Sequence, residues 1–175
     1  GDVERGVQSL LAEGDQTRLL SDWHDALRYY MEALRLVQSR PESDRRLYLA
    51  IFQKIGDIHV ESGGKHLLAR PYYEAARTWT VTPQEQALLL CRLAHTYRGE
   101  SPIRRQLLEE AVQLLPQIED PQVVLWVRFL HASSLLPIAP AYLSSIRELV
   151  GQIRPIPDLP HEFFGIVSHH LLQFA

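Results

Sequence analysis

The spacing of helix breakers and the period of the apolar residues predict an all-α chain, a solenoid of stacked antiparallel helix pairs. Pro83, Pro102, Pro121, Pro140 and Pro160 recur at intervals of 19, 19, 19 and 20 residues, each where a new apolar-periodic segment begins. Proline is tolerated in the first turn of a helix, where its missing N–H would have had no intrahelical partner, so each one marks a helix plus a short turn. Two intervals make a unit of about 38 residues, within the size range of helical solenoid repeats. The 175 residues read as about nine helices with no convincing strand.

The first helix is expected from about Val3 to Leu20, with Val7, Leu10, Leu11 and Gly14 on one face. Ser21-Asp22 can cap a second, which carries Trp23, Ala26, Tyr30, Ala33, Leu34 and Val37. Ser39 to Asp44, with Pro41, reads as a turn, and the third helix, about Arg45 to Glu61, presents Tyr48, Phe52, Ile55, Gly56 and His59. Ser62-Gly63-Gly64 breaks the chain again. A fourth helix follows from about Lys65 or Leu68 to Trp79, and Pro71 within it implies either a start near Ala69 or a kink. Thr82-Pro83-Gln84-Glu85 then has the spacing of a capping box, and Ser101-Pro102 and Asp120-Pro121 repeat the cap-then-proline order. Pro137 to Pro140 and Pro155 to Pro160 mark the last two turns before a terminal helix.

A composition 46% hydrophobic and 22% charged is that of a soluble globular protein, and a single domain over residues 1–175 is expected. The net charge of −3 comes from interspersed acids and bases, so the chain lacks the basic footprint of a nucleic-acid binder. No apolar run approaches the roughly 20 residues that span a bilayer, and no membrane association is expected. Cys91, the one cysteine, can build neither an intrachain disulfide nor a thiolate cage, which favours a reducing, cytoplasmic setting. The opening Gly1-Asp2-Val3-Glu4-Arg5 is not a signal peptide, and with Phe174-Ala175 ending inside a helical pattern it points to a fragment of a longer protein.

Nothing in the sequence points to catalysis, a metal or a cofactor. His161-Glu162-Phe163-Phe164-Gly165 departs from H-E-x-x-H at its last position, and the adjacent His169 and His170 point to different helix faces. Gly63-Gly64-Lys65 lacks the upstream glycine, the hydroxyl after the lysine and the preceding strand of a phosphate loop. Cys91 has His95 one helical turn away as a base, but its neighbours Leu90, Leu93 and Ala94 make it a semi-buried structural thiol. The doublets Arg45-Arg46 and Arg104-Arg105 stand near acids, as solvated helix surface does.

Laid over one another, the pairs share a pattern of small and aromatic residues. Leu10 and Gly14, then Ala26, Tyr30 and Ala33, match Phe52, Ile55, Gly56 and His59, then Ala69, Tyr73 and Ala76. The third pair offers Leu90, Leu93, Ala94 and Tyr97, then Leu108, Ala111 and Pro116; the fourth offers Trp126 and Phe129, then Tyr142, Ile146 and Leu149, with Leu130 at the small position. In this the chain resembles the tetratricopeptide repeat family, whose signature is W-x2-L-G-x2-Y, then A-x3-F and a closing proline. Small residues let paired helices touch, and aromatics fill the wedge between pairs. Gly14, Gly56, Ala94 and Leu130 lie 42, 38 and 36 residues apart, longer than the standard repeat, so the resemblance is to an extended type.

The resemblance implies a right-handed α-solenoid of about four such pairs plus a terminal helix, non-catalytic and without cofactor, whose first helices line a concave groove for a peptide or protein segment. Projected from the small residues, the groove candidates are Asp15 and Arg18, then Gln53, Asp57 and Glu61, then His95 and Arg98, then His131, flanked by Leu11, Cys91, Val127 and Ser134. The acids gather in the second pair, which anticipates a ligand basic over Asp57 and Glu61 and acidic over His95 and Arg98. The implied role is an interaction module or scaffold within a regulatory or signalling protein. The alternative is a ligand-sensing arm that relays a small molecule or short peptide to an attached effector domain. The apolar segment His161 to Ala175 either opens a truncated fifth pair or offers a dimerisation surface.

Overall fold

Four of the five regularly spaced prolines are the first residues of helices in a computed structural model of the chain, which describes residues 1–40, 43–97, 101–135, 140–156 and 159–160. These are α5 (Pro83–His95), α6 (Pro102–Leu114), α7 (Pro121–Ser134) and α8 (Pro140–Gln152). Before them come α1 (Asp2–Leu19), α2 (Trp23–Gln38), α3 (Arg45–Glu61) and α4 (His66–Arg77). A short 3-10 turn, Leu115–Gln117, follows α6, and the described residues contain no strand, so the fold is all-α. The terminal helix expected from His161 to Ala175 lies outside the described residues.

The caps do the work expected of them at most starts. Thr82 accepts from the Glu85 N–H at 3.1 Å while Glu85 accepts from the Thr82 N–H at 3.2 Å, so two donors left over at the start of α5 are satisfied reciprocally. Asp22, Asp44 and Asp120 accept from first-turn N–H groups of α2, α3 and α7. Ser101 stands in the same place before α6 without a side-chain cap bond. Helix α4 begins at His66 and runs through Pro71, rather than starting near Ala69. The lost bond falls on the Leu67 carbonyl; Leu67 and Pro71 are exposed, so water can serve that oxygen. Left-handed backbone makes two of the tight turns: Ser21 (φ 59°) between α1 and α2, and Gly63 (φ 109°) with Gly64 (φ 66°) between α3 and α4.

The chain divides into two compact units, Gly1–Thr80 and Val81–Ala175. In unit 1, α1 packs on α2, α3 on α4, and α3 also lies against α2 and α1. Its core joins Val7, Ala26, Tyr30, Ala33, Val37, Ile51, Ile55 and Ile58. The ring of Tyr48 lies flat on Trp79, centroids 4.3 Å apart and planes 7° from parallel, while Arg45 donates to the Trp79 carbonyl at 3.1 Å. In unit 2, α5 packs on α6 and α7 on α8, and α7 also meets α6 and α5. There Leu90, Leu93, Leu108, Trp126, Phe129 and Ile146 are buried, each such side chain contributing about 1.5–3 kcal/mol relative to exposure. No helix among the described residues is long and apolar enough to cross a membrane.

Candidate functional site

A three-residue element recurs in the two pairs of unit 1. Gly14 of α1 faces the ring of Tyr30 of α2 so closely that an added Cβ would come within 2.8 Å of the tyrosine Cδ1, and Gly56 of α3 faces Tyr73 of α4 at 2.7 Å. Carbon atoms pack comfortably only at about 3.5–4.0 Å, so both positions require glycine. Each tyrosine then donates its hydroxyl to the aspartate that follows the glycine: Tyr30 to Asp15 and Tyr73 to Asp57, both at 2.6 Å. Burial, reinforced by the Asp15 hydrogen bond and charge, holds the Tyr30 phenol protonated far above its ordinary range.

Charged side chains of α1 and α3 link these elements. Lys54 donates to Asp15 at 2.6 Å. Arg18 donates to both carboxylate oxygens of Glu61, Nε at 2.9 Å and an Nη at 2.5 Å, and its guanidinium lies 3.9 Å from Asp57. Burial alone would make Arg18 easier to deprotonate, but the Glu61 hydrogen bond and the charges of Asp57 and Glu61 outweigh it and raise its pKa. The side chains of Asp57 and Glu61 are only 2% and 6% exposed, whereas Asp15 remains 45% exposed.

Of the candidate groove residues, Asp15, Arg18, Asp57 and Glu61 therefore meet in one hydrogen-bonded face of unit 1. Gln53 lies on α3 one turn before Asp57, half-buried and outside this set of bonds. The acids of the second pair face Arg18 rather than standing open in a groove. In unit 2, His95 and His131 are half-buried on the neighbouring helices α5 and α7, while Cys91 and Val127 are buried. Arg98 lies outside the described residues. Burial pushes the Cys91 thiol up to about 12, with the Arg92 charge offsetting part of the rise, which leaves it unreactive at neutral pH.

Lys54 was not among the residues singled out by sequence, although its spacing from Asp57 and Glu61, three and seven residues, sets all three on one stripe of α3. The available signal for the tyrosines' role was the repetition of Gly-Asp at 14–15 and 56–57, each followed by an Ala-x3-Tyr. A separate cleft of about 350 Å³ in unit 1 is lined by Val3, Val7, Val37 and Leu47 together with Gly1, Asp2, Glu4, Arg40, Ser43 and Asp44. Among the described residues no group of three or more His, Cys, Asp or Glu side chains is placed to hold a metal ion. Comparison with protein-family models, with curated proteins and with solved structures found no match.

Proposed function

We propose that this chain is a non-catalytic protein-interaction module of the tetratricopeptide type, an α-solenoid whose concave face receives a peptide or protein segment within a regulatory or signalling protein. The observation that carries the reading is the recurrence of the Gly–Tyr–Asp element in successive helix pairs, because a stacked repeat demands the same close approach in each pair. The side-by-side arrangement of α1 with α3, and of α5 with α7, supports the same reading, since first helices of consecutive pairs would together line the face. With Asp57 and Glu61 buried against Arg18, the ligand's polar contacts in unit 1 fall to the more accessible Asp15, Gln53 and Lys54. Charges of this kind govern selectivity and encounter more than net affinity.

Peptides selected from a random display library against the intact chain should shift the amide resonances of Asp15, Gln53 and Lys54 on titration. They should also bind about tenfold more weakly to Asp15→Asn, the cost of one charge-assisted contact. Binders that leave these resonances unmoved would overturn the groove assignment. A second reading, a ligand-sensing arm, is favoured by the cleft between Val7 and Val37, whose volume falls within the roughly 300–1,000 Å³ of small-ligand sites. Under that reading a small ligand raises the Tm and perturbs the methyl resonances of Val37.

A further inference from the structure

Met31, the only methionine of the chain, stands half-buried on α2 and packs against the core of unit 1. Its sulfur accepts from the hydroxyl of Tyr72 on α4, with Sδ and Oη 3.9 Å apart. The contact thus joins the second helix of one pair to the second helix of the next. The Tyr72 ring is itself stacked on His59 of α3, centroids 5.6 Å apart and planes 27° from parallel, so a packed neighbour fixes where the hydroxyl stands.

Donor and acceptor here are poorly matched. A phenol donates well and a thioether accepts weakly, and Tyr72 has no other hydrogen-bond partner among the described residues. The separation is also long beside the roughly 2.5–3.0 Å of an O–H···O bond, so an oxygen added to the sulfur on the side of Tyr72 would close the gap. Oxidation adds that oxygen. A sulfur lone pair attacks one oxygen of hydrogen peroxide and the O–O bond breaks; the departing hydroxide takes the proton of the transferred oxygen and leaves as water, the sulfur oxidised by two electrons and the peroxide reduced by two. The sulfoxide is polar and chiral where the thioether was apolar, which costs stability in a half-buried place unless a donor meets it. Tyr72 is a donor already in position.

We propose that Met31 is an oxidation site of the folded chain, its sulfoxide held by the Tyr72 hydroxyl so that oxidation strengthens the contact of α2 with α4. Met31, Tyr72 and His59 take no part in the Asp15–Lys54 hydrogen bonds, so this proposal and the groove reading fail independently. The probe is dilute hydrogen peroxide added to the intact chain. Isotope labelling of the methionine methyl gives one resonance, which should move completely to its sulfoxide position without unfolding, and the Tm of the oxidised chain should equal or exceed that of the reduced chain. Tyr72→Phe keeps the ring and should cost little while the sulfur is reduced, because a thioether accepts weakly. On oxidation it should lose several degrees of Tm, since the sulfoxide is then left without its donor. Met31→Leu should hold its Tm in peroxide.

The same change of Tm in the parent and in Tyr72→Phe overturns the proposal, because the hydroxyl then does not hold the sulfoxide. So does a methyl resonance that resists peroxide until urea unfolds the chain, which closes the site in the native state. A fall in Met31→Leu as large as that in Tyr72→Phe overturns it too, by placing the lesion at another side chain.

Discussion

Both helix pairs of unit 1 close by setting a tyrosine ring against bare glycine backbone, whereas the positions of equivalent spacing in unit 2 hold Ala94 with Ala111 and Leu130 with Ile146, all buried. The glycine–tyrosine closure is directional, because the ring must lie flat for its hydroxyl to reach Asp15 or Asp57. Those aspartates in turn engage Lys54 and Arg18, so the contact within a pair is wired to the contact between pairs. One helix-pair plan thus places a hydrogen-bonded glycine–tyrosine contact in the pairs of one unit and buried apolar side chains at the corresponding positions of the other.

The largest break in this contrast should come from Arg18→Ala, which removes the cation hydrogen-bonded to both carboxylate oxygens of buried Glu61. A loss of about 3–5 kcal/mol is expected in urea denaturation, typical of breaking a buried ion pair from one side. Lys54→Ala, whose partner Asp15 is half-exposed, should cost less than about 1 kcal/mol. Equal costs at the two positions would remove the distinction between buried and accessible members of the seam.

Gly56→Ala tests the ring contact directly. Helix propensity favours alanine by about 1 kcal/mol, yet overpacking against Tyr73 should dominate and leave a net loss of about 1–2 kcal/mol. Combining it with Tyr73→Leu should be less harmful than the sum of the single changes, since the ring that the new methyl strikes is gone. Additive costs would mean that glycine is not required by the tyrosine.

In unit 2 the sharper probe is alkaline pH. The folded Cys91 thiol titrates near 12 against an unfolded value near 9, so its contribution is complete below pH 9 and is lost as pH rises towards 12. At pH 10 the parent chain should have lost about 1.4 kcal/mol more than Cys91→Ala, each referred to its own stability at pH 8. Tyrosine ionisation contributes to both and cancels. Parallel pH profiles would show that the thiol is not buried.

Helix starts were legible because their chemistry is local. Thr82-Pro83 and Asp120-Pro121 specify cap and first turn within a few residues, and the helices begin where those signals stand. Pro71 left the start of α4 open between two alternatives because its cost depends on whether the orphaned carbonyl is exposed, a property of the fold and not of the neighbouring sequence. The small–aromatic alternation located Gly14, Tyr30, Gly56 and Tyr73 correctly as contact residues, since volume complementarity leaves a repeating trace. Which charges would face solvent was not legible. Arg18 and Glu61 lie 43 residues apart, and no periodicity within either helix signals that they share both carboxylate oxygens.

The flat stack of Tyr48 on Trp79 gives unit 1 an optical signature of its own. Two aromatic chromophores held nearly parallel at 4.3 Å couple their transitions, so near-ultraviolet circular dichroism should carry a band that depends on this one contact. Excitation absorbed by Tyr48 passes to Trp79 in place of being emitted. Loosening the ring pair therefore weakens that circular-dichroism band, a label-free readout of the packing of α3 against the residues that close unit 1.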